Sequence, residues 1–206
     1  MRSDRFIAQP ERRRFVLSRI VLRHILARYH GTAPDAVPLA REAGGRPYVE
    51  GSDQLFFSLS HSGEIAVIAI ATSPVGVDVE RIRSIERAPA IARRVLHHDT
   101  VDILHALPAP LFDAAFLDAW TQREAHVKAV GGGLFRTADV LPFDASQPTD
   151  ASVHAVLSRE DGSRWSVARF LPYPAARAAV VAPAPVHDVR LLDWNEVAHT
   201  MEDNDK

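Results

Sequence analysis

The chain has 206 residues and a formal net charge of −2, with 47% hydrophobic side chains. That suits one domain or two closely packed halves around a real core, and it gives no global attraction to nucleic acid or anionic lipid. With no cysteine, disulfides are excluded and a reducing cytoplasm fits; no apolar stretch approaches the ~20 residues of a membrane span, and Met1-Arg2-Ser3-Asp4-Arg5 lacks the apolar core of a signal peptide.

Pro10 and Glu11 open a helical pattern that Gly31 closes. Phe15, Leu22, Leu26 and Tyr29 share one face with Val16 and Ile20 beside it, which leaves Arg14, Arg19 and Arg28 to face outward. Arg2, Arg5, Arg12, Arg13 and Arg23 add to this basic density, which reads as either an anion site or a solvated helix face. After the turn at Gly44-Gly45, residues 46–49 and 54–59 are expected strands, and Ser60-His61-Ser62-Gly63 a tight polar turn. The apolar run 65–71 reads as a strand buried on both faces; Pro74 interrupts it, and a further strand starts at Val75. Helices are expected at 88–97, at 99–106 with Asp99 as its cap, and at 111–130, ended by Gly131-Gly132-Gly133. Strands at 153–157 and 164–170 are joined through Asp161-Gly162, and 177–182 and 189–193 supply two more. The order helix, strands, helices, strands predicts two α+β halves followed by a polar tail.

Chemistry concentrates at two places. In Gly76-Val77-Asp78-Val79-Glu80, strand alternation sends Asp78 and Glu80 to one face and the valines to the other. Two carboxylates beside a greasy strand repel each other and lose hydration; a hard divalent cation such as Mg²⁺ offsets both costs, whereas an edge strand with one wet face needs none. Trp120, Glu124 and Lys128 stand four residues apart on one helical stripe, as an ordinary surface ion pair or as an acid–base pair held against buried material. Lys128 is the only lysine besides Lys206 in a chain that otherwise uses arginine. Where charge suffices arginine serves, but proton transfer needs a pKa that can be lowered into range, which lysine has.

Gly76 to Glu80, with Trp120-Thr121-Gln122-Arg123-Glu124-Ala125 and Lys128, resembles the signature of the surfactin-type 4′-phosphopantetheinyl transferases. Phe57-Ser58-Leu59-Ser60-His61-Ser62 and Gly45-Arg46-Pro47 resemble two further motifs of that family in the right order, so the likeness runs from about Phe6 to Trp194. It implies an α+β fold of two similar halves packed with pseudo-twofold symmetry, 1–82 and 83–194, with the active cleft between them and a tail at 195–206. The implied reaction moves phosphopantetheine from coenzyme A to a serine of an acyl or peptidyl carrier protein and releases adenosine 3′,5′-bisphosphate. The resemblance makes Asp78, Glu80 and Glu124 magnesium ligands, Glu124 also the base for the attacking serine, and Lys128 the residue that stabilises or protonates the departing phosphate. It places His61 at the pyrophosphate, Ser60 and Arg46 near the adenosine, and Arg14 at the 3′-phosphate. The expected partners are coenzyme A and the carrier protein, with no nucleic acid and no membrane, for a monomer in the cytoplasm. A docking patch for the carrier is expected on exposed apolar residues of 81–117, near Phe112, Phe116 and Leu117 and the loop 134–140, with core packing the expected role of Phe116 itself.

Two departures from the family pattern stand out. Arg123 replaces a common lysine and keeps the charge. The stretch before the first helix is shorter than in the family, which raises the expectation of an upstream start or a less stable truncated form, with Phe6 plugging part of the gap and Arg2 and Arg5 beside the 3′-phosphate. Two other classes compete: a metal-dependent phosphodiesterase or nuclease, against which the lack of a broad basic groove argues, and a non-catalytic coenzyme A binder.

Overall fold

The long amphipathic pattern of the first thirty residues forms α1, Gln9–His30, and β1 (Leu39–Arg41) and β2 (Pro47–Val49) follow as a small antiparallel hairpin. The computed structural model describes residues 9–131 and 140–194. Arg2, Arg5, Phe6, Gly132, Gly133, residues 134–139 and the tail from Asn195 lie outside the described residues. From α1 the core of the first half takes Leu22 and Leu26, both 0% exposed, together with Ala27, and packs them on Val37, Val49, Leu55 and Phe57. Tyr29 is 65% exposed and Val16 and Ile20 are exposed, so the buried stripe is narrower than the sequence pattern suggested.

β3 (Phe56–Ser62) and β4 (Ile65–Ala71) pair in register from Phe56↔Ala71 to Ser62↔Ile65. Ser60, His61 and Ser62 therefore belong to a strand, and the turn is Gly63-Glu64, later than expected. β4 is not buried on both faces: all but one of its residues are half-buried and Ala66 is exposed. Ile65, Val67 and Ala69 pack towards β5 (Gly76–Arg81) while Ile68 and Ile70 meet the α1 core, yet the outer edge of β4 pairs with no strand among the described residues. That edge, α1 and residues 185–194 wall a cleft of about 1830 Å³. Residues 189–193, expected as a strand, line this cleft without pairing, and a strand needs a partner ladder.

The second half begins with α2 (Ala88–Val95), shorter than expected because Leu96 turns into the core in an extended conformation. α3 (His98–Ala106) is capped by His97, whose ring accepts the N–H of Asp99, so Asp99 is not the cap. A 3₁₀ turn, Ala109–Leu111, leads into α4, Phe112–Ala129. The helix ends where Gly131 takes a left-handed conformation, φ +70°, and returns its N–H to the Lys128 carbonyl. β6 (Asp150–Leu157), β7 (Arg164–Phe170) and β8 (Ala176–Pro183) form the antiparallel order β5-β8-β7-β6. The architecture is two α+β halves, each with one long helix; the first carries the two-stranded sheets β1-β2 and β3-β4, and the second the four-stranded sheet that takes in β5. β5 precedes residue 82, yet its ladder is with β8, from Gly76↔Val181 to Arg81↔Ala176. It is the seam between the halves: Val77 and Val79 bury against Phe170, Ala176 and Ala178, with Ile65 and Val67 of β4 on the same cluster.

Candidate active site

The face of β5 opposite those valines lies under α4. Gly76 is what lets the helix lie directly on the strand: a Cβ there would stand 1.9 Å from the Ala125 carbonyl oxygen and 2.5 Å from the Ala129 nitrogen. This close approach carries Lys128 down to the strand, where Nζ donates to Asp78 Oδ1 at 2.7 Å and to the Val77 carbonyl at 2.9 Å. Ser60 Oγ donates to the same oxygen at 2.8 Å, while Asp78 Oδ2 is buried with no hydrogen-bond partner. Burial raises the Asp78 pKa; Lys128 and Ser60 oppose this, and the charge of Glu80 adds to it. Glu124 is likewise raised, first by burial; Arg123 opposes, the charge of Asp78 raises it further, and Lys128 lowers it. The charge of Asp78 acts on Glu124, so the strand carboxylate and the helix carboxylate feel each other.

Glu80 is held on the same strand face, with Oε2 accepting from Ser62 Oγ at 2.8 Å and lying 3.4 Å from Arg83 Nη1. Glu124 is turned to the Arg123 guanidinium, which lies over the Trp120 ring, 5.5 Å from its centroid. The oxygens of Asp78, Glu80 and Glu124 do not all lie within 4.8 Å of one another; among the described residues, three ligand atoms come that close at His97, His98 and Asp99. That second group is largely exposed, and Asp99 there is already paired with Arg159. The all-oxygen donors around Asp78 fit a hard cation such as Mg²⁺, and the orphaned, buried Oδ2 is an acceptor left open for one.

The residues tied by resemblance to the coenzyme fall in three places. Ser60 is in the carboxylate cluster. Arg46 Nη1 donates to the Ala129 carbonyl at 3.0 Å, a cation at the carbonyl end of α4, and its guanidinium lies near the Phe56 ring. Arg14 and His61 line the large cleft, which Asp78, Glu80, Glu124 and Lys128 do not line. Sequence reasoning missed the roles of Ser58 and Ser62, although serines at alternate positions of one strand were a visible signal. It also missed Asp118 and Arg177, for which no local signal exists: Arg177 sits opposite Glu80 on β8, and its Nε lies 3.3 Å from Asp118 Oδ2 of α4.

Residues 74–182 match the model of the 4′-phosphopantetheinyl transferase superfamily, and residues 1–73 match that of the 4′-phosphopantetheinyl transferase N-terminal region. The chain belongs to the 4′-phosphopantetheinyl transferase superfamily. It is 30% identical to 4′-phosphopantetheinyl transferase HetI of Nostoc sp. over 183 residues, covering 87% of this chain and 74% of that protein. It is 33% identical to the transferase psf-1 of Bacillus pumilus over 132 residues, 64% of this chain and 56% of the relative. The likeness to Sfp of Bacillus subtilis is 22% over 195 residues, 94% of this chain and 85% of that protein. As a phosphopantetheinyl transferase, the chain is an enzyme that transfers phosphopantetheine from coenzyme A to a carrier protein. No helix among the described residues of the transferase is long and apolar enough to cross a membrane.

The Asp118–Arg177 pair gives the transferase a measurable pH dependence. Burial pushes the Asp118 pKa up from 3.8 to about 6, with Arg177 and then Arg169 opposing. A raised carboxyl pKa means that the folded state binds the proton more tightly than the unfolded chain. The stabilisation from the protonated form is complete below about pH 4 and is lost as pH rises through about 6. Asp118→Asn removes this titration, so the fall in unfolding free energy from pH 4 to 7 is smaller in the variant by about 2 kcal/mol. Urea unfolding of both proteins across that range checks it; parallel curves would remove Asp118 as the source.

Proposed function

We propose that this transferase is of the surfactin type and that Asp78, Glu80 and Glu124 hold Mg²⁺ for transfer of 4′-phosphopantetheine to an acyl or peptidyl carrier protein. The observation that carries this reading is the buried meeting of strand and helix: Asp78 has one oxygen bonded to Lys128 and Ser60 and the other open, with the charge of Glu80 acting on it and its own charge acting on Glu124. Bound there, Mg²⁺ supplies neutralisation of the negative charge on the pyrophosphate of coenzyme A. The protein's own part starts with Glu124, whose raised pKa suits a base that takes the proton of the carrier serine hydroxyl. As the serine oxygen bonds to phosphorus, the bridging P–O bond breaks and adenosine 3′,5′-bisphosphate leaves. Lys128, fixed by Asp78 and the Val77 carbonyl, presents its ammonium to the departing phosphate as a charge or a proton donor.

In this reading the active cleft lies between the halves 1–82 and 83–194. Arg14 meets the 3′-phosphate, His61 the pyrophosphate, and Ser60 and Arg46 the adenosine side. The two consecutive family matches within one chain support a two-half member; that it is of the surfactin type and acts as a monomer in the cytoplasm belongs to the same proposal. The test incubates the protein with Mg²⁺, coenzyme A and candidate apo-carriers and reads the intact mass of each carrier. Addition of phosphopantetheine to one of them is the expected result. No mass gain despite coenzyme A binding would leave a non-catalytic binder, and cleavage of plasmid DNA in place of transfer would favour the nuclease.

A further inference from the structure

β3 reads Phe56-Phe57-Ser58-Leu59-Ser60-His61-Ser62, and alternation puts its three serines on one face. β3 is laddered to β4, and β5 to β8, in separate sheets. Across the gap between β3 and β5 run hydroxyl contacts in place of a backbone ladder. Ser58 Oγ accepts the Val77 N–H at 3.1 Å, Ser60 Oγ donates to Asp78 Oδ1, and Ser62 Oγ accepts the Arg81 N–H at 3.2 Å. Ser62 Oγ also lies 2.8 Å from Glu80 Oε2. A serine hydroxyl has one proton to give. The Arg81 N–H occupies an acceptor site of Ser62, and the Glu80 oxygen beside it takes that single proton. Arg83 reaches the same Oε2, so both of these hydrogen bonds fall on one oxygen of the Glu80 carboxylate.

We infer that Ser62 is a positioning residue that sets which oxygen of Glu80 is offered to the cation, while Ser58, which makes the backbone contact and touches no carboxylate, only joins the strands. The inference rests on the metal-binding reading above. A hydroxyl that orients a ligating carboxylate acts on cation affinity more than on folding, and loss of such partners commonly weakens metal binding 10–100-fold.

The test titrates Mn²⁺, a paramagnetic stand-in for Mg²⁺, into the full-length protein, following free Mn²⁺ by electron paramagnetic resonance. Ser62→Ala is expected to raise the Mn²⁺ Kd by about 10-fold or more. Ser62→Thr keeps the hydroxyl and restores affinity to within about threefold, since ladder positions accept a β-branched residue. Ser58→Ala lowers the melting temperature and leaves the Mn²⁺ Kd unchanged. In activity, Ser62→Ala shifts the Mg²⁺ dependence to higher concentration, with turnover recovered at saturation. Equal Mn²⁺ affinity in Ser62→Ala and the unmodified protein would overturn the role of Ser62 alone. An unmodified protein that binds no Mn²⁺ would instead overturn the metal-binding reading beneath it.

Discussion

Glu124→Gln lowers the transfer rate by at least about 10²-fold and leaves the protein folded. In the proposed mechanism the Glu124 carboxylate carries negative charge beside Asp78 and accepts a proton, and an amide does neither. Folding is spared for a specific reason. Glu124 is held above the usual carboxylate range chiefly by burial, so neutralising it removes a desolvation cost. The amide oxygen still accepts from Arg123, whose buried guanidinium keeps a partner there. Carrier mass after timed incubation gives the rate, and circular dichroism melts give the fold. A folded variant that turns over like the unmodified protein would remove Glu124 from the chemistry.

The largest expected effect on stability is at Gly76. An alanine Cβ would stand 1.9 Å from the Ala125 carbonyl oxygen, and the obstacle is helix backbone, which cannot swing aside as a flexible side chain does. Either α4 lifts from β5, which opens the cluster of Ala125, Ala179 and Val181, or the strand slips from β8. Gly76→Ala therefore costs about 4 kcal/mol or more, or yields no soluble protein. Gly51→Ala is the control: its φ of +75° is strained for alanine, but no atom lies within 4 Å, so its cost stays near about 1–2 kcal/mol. Urea unfolding of the two variants distinguishes steric exclusion from backbone strain. Equal losses would mean that the helix and strand have room to part.

Gly76 also shows what a motif holds without displaying it. Alternation in 76–80 foretold that Asp78 and Glu80 share a face, and the four-residue spacing of Trp120, Glu124 and Lys128 foretold their stripe. Both follow from the repeat of a single element. That stripe and that face meet only because a residue with no side chain lets two backbones touch, and this depends on the partner element.

The same division runs through the rest of the chain. Local patterns determined the order of most elements (though not β1), α4 to within a residue at each end, the Asp161-Gly162 turn, and the chemical character of the carboxylates and the lysine. Tertiary structure decided that β5 ladders with β8, that three serines bridge β3 to β5, that Arg46 reaches the carbonyl end of α4, and that Asp118 meets Arg177. It also decided that β4 is only half-buried, that Tyr29 is exposed, and that 189–193 is not a strand. Periodicity in a sequence says which side chains leave a segment together. What stands opposite them is set by contacts between residues far apart in the chain, and those depend on how the whole core is filled.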